Sequence, residues 1–98
     1  MIGKGTEVTF DPVKNARNIR DRRLSFERAI DFDFTTATLA VDERREYGEV
    51  RYVAVGYLDG RLHVLCFVET QFGIRVISFR KANAREIKRY EKAQTADR

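Results

Sequence analysis

The sequence predicts an α+β fold: a small antiparallel sheet with two N-terminal helices on one face and a C-terminal helix. Three observations lead there. Asp59-Gly60 stands between two apolar runs, Arg51 to Leu58 and Leu62 to Val68, and the tight turn that joins adjacent strands needs positive φ at both central positions, which such residues tolerate. Asp11-Pro12 is a helix start, with Asp as N-cap and Pro at the first helical position, where its missing N–H costs nothing. Asn83 and Glu86 stand at the spacing of a capping box ahead of a basic helical stretch.

In chain order, residues 1–5 read as a loose tail, and Thr6 to Phe10 alternates as a short strand does. The helix opened by Asp11 runs to about Arg22, with Val13, Ala16 and Ile19 on one face and Lys14, Arg17 and Arg20 around the rest. Ser25 caps a second short helix whose apolar stripe is Phe26, Ala29 and Ile30, and Phe32 and Phe34 close the core at its end. Thr35 to Leu39 suits an edge strand. Asp42 to Glu49, DERREYGE, reads as a solvated loop punctuated by Gly48. After the Asp59-Gly60 hairpin, a looser turn at Thr70 to Gly73 leads into Ile74 to Phe79, which stops at Arg80-Lys81. The capped helix follows, and 94–98 reads as a frayed polar tail. The order is β-α-α-β-β-β-β-α in one domain spanning 1–98, without repeats or linkers.

With 98 residues, 43% hydrophobic and 35% charged, the chain is globular and large enough for one core. Its net charge of +4 favours an acidic partner. No apolar run approaches the roughly 18 residues of a membrane span, and the N-terminus lacks a signal peptide's apolar core, so a cytoplasmic protein is expected. One cysteine, Cys66, and one histidine, His63, exclude an internal disulfide and a Cys/His zinc site. Neither GxxxxGK[ST] nor GxGxxG occurs, and no cofactor is implied. His63 reads as a structural or surface residue and Cys66 as a buried small apolar one.

Arginines on strands remain: Arg51 opening one, Arg75 inside the last, Arg80 closing it. Such a residue faces solvent, faces a ligand, or bridges a neighbouring Glu49 or Glu69, since a buried unpaired guanidinium is costly. Alternation points Arg75 with Ile77 and Phe79 but Arg80 with Ile74, Val76 and Ser78, so both serve one site only if a bulge intervenes or the strand ends before Arg80. Arg80, Lys81, Arg85, Lys88 and Arg89 lie close together, a layout suited to a polyanion. Metal-free cleavage of RNA fits this set: cations stabilise charge on a phosphorane-like transition state, Glu49 is a candidate base, and Tyr52 or Tyr90 could stack a nucleobase or donate a proton.

Four pieces of the sequence, FDPVKNARNI, SFERA, YGEVRYVAVG and IRVISFRKANAREIKRYE, together spanning roughly Phe10 to Glu91, resemble the BrnT-type toxins of bacterial type II toxin–antitoxin modules, small relatives of RelE-like ribonucleases. The resemblance implies a RelE-like fold and an endoribonuclease that cuts RNA and inhibits translation. It also implies neutralisation by a BrnA-type antitoxin, which alone would contact operator DNA, with two toxins in the complex. By position it makes Glu49, Arg51, Arg75 and Arg80 the catalytic set and Lys14, Lys81 and Tyr90 substrate-binding residues. A basic RNA-binding or co-repressor module without catalysis is the alternative. The chain departs from the family's wording in three places: Asp21-Arg22-Arg23 replaces Lys-His-Gly, so a left-handed helix cap lacks its glycine. Phe79 stands where alanine is usual, beside the expected site, and Gln71-Phe72 replaces Glu-Arg.

Overall fold

A computed structural model describes residues 6–96. Its elements are β1 (Glu7–Phe10), α1 (Pro12–Arg22), a 3₁₀ helix (Phe26–Asp31), β2 (Asp33–Val41), β3 (Tyr52–Leu58), β4 (Arg61–Glu69), β5 (Gly73–Lys81) and α2 (Ala84–Ala96). The strands form one sheet in the order β1-β5-β4-β3-β2. The hairpin forms as expected, with Asp59 at φ 52° and Gly60 at φ 75°. The expected tail at 1–5 and the last two residues, 97–98, lie outside the described residues; α2 itself continues past Ala93 to Ala96.

The sheet is mixed rather than antiparallel. β1 runs parallel to β5, from the pair Glu7–Gly73 to Phe10–Val76. Parallel pairing needs a long crossover, and everything from α1 to β4 supplies it. The pairing covers half of an edge that the β3–β4–β5 meander would leave open. Gly73 permits it, because a Cβ there would run into the backbone of Glu7.

The second N-terminal helix is a single 3₁₀ segment, so among the described residues one α-helix, α1, lies between β1 and β2. Ser25 caps it as expected, its Oγ accepting from the Glu27 N–H at 3.2 Å. Phe26 and Ala29 are buried while Ile30 is exposed, because positions three apart eclipse in a 3₁₀ helix and a four-residue stripe does not form. These two join Phe32, Leu65, Phe67, Ile74, Val76 and Phe79 in the main core, where edge-on ring pairs such as Phe10–Phe26 (5.9 Å) and Phe34–Phe67 (5.7 Å) fill the space.

α1 sits differently from its apolar pattern. Val13, Ala16 and Ile19 face solvent, and the buried residue is Asn18. Beyond Phe10 the edge of β5 has no strand partner among the described residues, so its carbonyls need other donors. Asn18 Nδ2 donates to the carbonyls of Phe79 (2.9 Å) and Leu24 (3.0 Å), and Asn15 Oδ1 accepts from the N–H of Phe26 (2.7 Å). Hydrogen bonding, not apolar burial, sets the face on which this helix docks.

The other sheet face is partly covered by α2. Ile87 and Tyr90 pack on Leu62, Val64, Val53 and Val55, while Ala84 stays exposed. Since both faces of β4 are covered along much of its length, the strand reads as a continuous apolar run.

Arg23 occupies the left-handed cap at φ 57°, ψ 33°, its N–H bonded to the Ile19 carbonyl at 2.9 Å. A side chain there costs energy that glycine avoids. Arg23→Gly is expected to stabilise the protein by about 0.5–1 kcal/mol, after allowing for glycine's greater freedom when unfolded. The check is a higher urea midpoint at unchanged slope.

Candidate functional site

β5 takes an extra residue at Ile77. Cys66 pairs with Ser78 and Phe67 with Val76, so β4 advances by one residue while β5 advances by two. Alternation restarts after this bulge. Ile74, Val76 and Phe79 all turn into the main core, and Arg75, Ser78 and Arg80 share the opposite face. The strand continues through Lys81 rather than stopping at Arg80-Lys81. Phe79 is fully buried on the far side, so its bulk does not crowd Arg80.

Arg75 lies at one end of this face. Its Nη2 donates to both carboxylate oxygens of Glu49 at 2.8 Å, and Glu49 also accepts from Arg51 at 3.4 Å. The bridge that the sequence left open therefore involves both arginines. Arg75 and then Arg51 hold the Glu49 carboxyl below its ordinary range. Arg51 also stacks over the ring of Tyr47, 4.1 Å from its centroid.

The rest of the Asp42–Val50 loop folds over the same face. The Asp42 side chain is only 2% exposed, whereas that of its partner Arg44 is 78% exposed. Arg44 donates to both Asp42 oxygens, at 2.8 and 2.7 Å, and the Tyr47 hydroxyl adds a third bond at 3.1 Å. The Asp42 N–H donates to the Arg51 carbonyl at 2.7 Å, which ties the loop to the start of β3. Asp42 is held strongly acidic, first by Arg44.

At the other end, Arg80 makes two parallel 2.8 Å bonds to Glu86. Glu86 simultaneously accepts from the N–H of Asn83, and Asn83 Oδ1 accepts from the N–H of Glu86, both at 2.8 Å. The predicted capping box is present and does a second job: it aims Arg80. Beside Arg80 lies a cleft of about 410 Å³, with Val53, Val64, Cys66 and Ser78 in its floor and Asp42, Arg44, Arg80 and Glu86 around it. Burial pushes the Cys66 thiol up, away from nucleophilic thiolate.

The structure thus brings Glu49, Arg51 and Arg75 together and sets Arg80 on the same face. Lys14 reaches the region from α1: with Arg17, Arg22 and Ser78 it lines a pocket of about 220 Å³, and Ser78 also belongs to the cleft. Lys81 and Tyr90 are not brought in. Alternation turns Lys81 away from Arg80's face. Tyr90 is buried under α2, its hydroxyl donating to the Thr36 carbonyl at 2.7 Å and its ring edge-on to Tyr57. His63 packs on Phe79 in the core, with Nδ1 2.7 Å from the Arg61 carbonyl. Asp42, Arg44, Tyr47, Ser78 and Glu86 also line or brace this candidate site, and the sequence does not place them there. The charge density of DERREYGE was the available signal for the first three, and Glu86 was legible only as a cap.

A family model described as the ribonuclease toxin BrnT of type II toxin–antitoxin systems matches residues 10–86. No curated protein matches the sequence.

Arg80 is the chief cause that lowers Glu86 from an ordinary 4.5 to about 2. A carboxylate depressed on folding contributes stability that is complete above its unfolded value and lost as pH falls through the folded one. Wild-type stability should therefore drop between pH 4.5 and pH 2. Glu86→Gln is expected to be less stable than wild type above that window and to lose less within it. Urea midpoints across the window measure the difference.

Proposed function

The chain belongs to the BrnT family, the ribonuclease toxins of type II toxin–antitoxin systems, and on that premise we propose that its cleft binds an RNA strand and cuts it without metal. The reaction would be attack of a 2′-hydroxyl on the adjacent phosphate. The O2′–P bond forms as the P–O5′ bond breaks, with net transfer of the hydroxyl proton to the leaving 5′-oxygen. The products are a 2′,3′-cyclic phosphate and a 5′-hydroxyl. One observation carries this reading: the Ile77 bulge puts Arg75 and Arg80 on one sheet face, with Arg44 brought to that face by the loop and Arg51 by its place just before β3. β-strand rise separates the Cα atoms of Arg75 and Arg80 by roughly 15 Å. Two anchors that far apart suit an extended polyanion better than one small phosphate.

Cleavage builds negative charge on the phosphorane-like transition state. Guanidiniums already oriented by carboxylates can stabilise that charge without reorganising when it forms. Arg80 and Arg44 border the cleft and take the phosphate-facing roles, with Arg51 and Arg75 as further cations. Glu49 is better suited to orienting than to proton abstraction. Both its oxygens are occupied by Arg75, and its carboxyl is held low, which weakens it as a base. Lys14 would engage the strand as it leaves the cleft past Ser78. Lys81 and Tyr90 take no part.

Family membership also supplies an antitoxin partner. We further read that partner as BrnA-type, responsible for contacts with operator DNA and holding two toxins in the complex. α2 packed on β3 and β4 is compatible with the RelE-like arrangement that the resemblance implies.

Expressed alone, the protein should arrest growth and fragment cellular RNA, and purified protein should cut RNA equally well with a chelator present. Arg80→Ala or Arg75→Ala is expected to slow cleavage about 100- to 1,000-fold and to release the arrest. Arg80→Lys, which keeps the charge but not the paired bonds to Glu86, should fall between. Full cleavage by both alanine variants would remove these residues from the chemistry. RNA binding without cleavage by the wild type would favour the non-catalytic module.

A further inference from the structure

α1 carries its apolar residues on the solvent side. Val13 is 64% and Ile19 43% exposed, and Pro12 and Ala16 lie exposed with them. A surface helix ordinarily turns such a stripe inward. Here the inward positions belong to Asn15 and Asn18, whose bonds to the Phe26 N–H and the Phe79 carbonyl fix the helix and leave the stripe without a partner among the described residues. Pro12, Val13 and Ala16 line a shallow groove of about 500 Å³, bordered by Arg17 and Arg20.

We propose that this face of α1 docks an amphipathic segment of the antitoxin, apolar along its centre and acidic on its flanks. This rests on the toxin reading above. Charge selects the occupant. From Asp11 to Arg23 the helix and its caps hold five cations (Lys14, Arg17, Arg20, Arg22, Arg23) against two carboxylates, Asp11 and Asp21. Two copies meeting through this face would juxtapose the same cations, whereas an acidic segment complements them. Position supplies the consequence. Lys14 and Arg17 also line the pocket that shares Ser78 with the cleft. A partner on α1 therefore neutralises the basic approach to the cleft from outside, with no need to enter it.

The test is Val13→Glu/Ile19→Glu in the full chain, with the product of the adjacent antitoxin gene as the probe. Both positions are exposed, so thermal melting should match wild type. Alone, the double variant should arrest growth as wild type does. Co-expressed antitoxin should restore growth to wild type but not to the variant, and its measured affinity for the variant should fall about 100-fold. Arg17→Glu should weaken binding as well, with a smaller dependence on salt than wild type shows. Unchanged antitoxin affinity for the double variant overturns the proposal. So does loss of toxicity in the variant alone, which would assign the face to RNA, or a wild-type dimer in sedimentation that the substitutions dissolve. Should wild type fail to arrest growth, the ribonuclease reading falls, while the affinity comparison still decides the docking face.

Discussion

Side chains alternate along a strand, so the single residue inserted at Ile77 reverses how everything from Ser78 to Lys81 faces relative to Ile74–Val76. In a regular strand Phe79 would lie across the floor of the cleft. Arg80 would enter the core beside Leu65 and Phe67, an unpaired guanidinium in an apolar interior and a cost of several kcal/mol. The bulge buries the phenylalanine and frees the arginine in one step. Core packing and the candidate site thus depend on the same irregularity, and neither arrangement survives without the other.

Each arginine of the site is held by a carboxylate: Arg75 and Arg51 by Glu49, Arg44 by Asp42, Arg80 by Glu86. These pairs are partly shielded, and the Glu86 pair adds acid-sensitive stability. All four also supply direction. A free arginine samples many rotamers, and one fixed from behind by a carboxylate presents its remaining N–H groups along a set line. The Glu86 pair adds a mechanical link, because the same side chain closes the capping box of α2 and so joins the end of β5 to the start of the helix.

Features that rest on neighbouring residues were legible in the sequence. Asp59-Gly60 formed its hairpin, Asp11-Pro12 its helix start, and Asn83 with Glu86 its box. Features that rest on distant pairing were not. Nothing near Glu7 announces a parallel partner sixty residues away, and Val13, Ala16 and Ile19 spell an inward face that the open edge of β5 overrides. The bulge is an intermediate case: Arg75 and Arg80 at opposite parity showed that a regular strand could not put both on one site, though not where the extra residue would sit. In the loop, the charges of DERREYGE were visible but their pairings were not, because Asp42 selects Arg44 and Tyr47 only once the chain turns back over the sheet. The wording of the four motif pieces identified the family, which composition and charge could not.

The two rims of the sheet are unequal. One ends in the four residues of β1, and just past them Asn18 occupies the Phe79 carbonyl of β5. The other is β2, nine residues long, with Leu39 and Val41 about half exposed. β2 is long but broken: its pairing is irregular between Asp33 and Thr38, and Tyr90 occupies the Thr36 carbonyl, so its regular part is Thr38–Val41. Among the described residues each rim therefore offers an added strand only four regular residues, a short template on both sides, which disfavours growth by sheet extension.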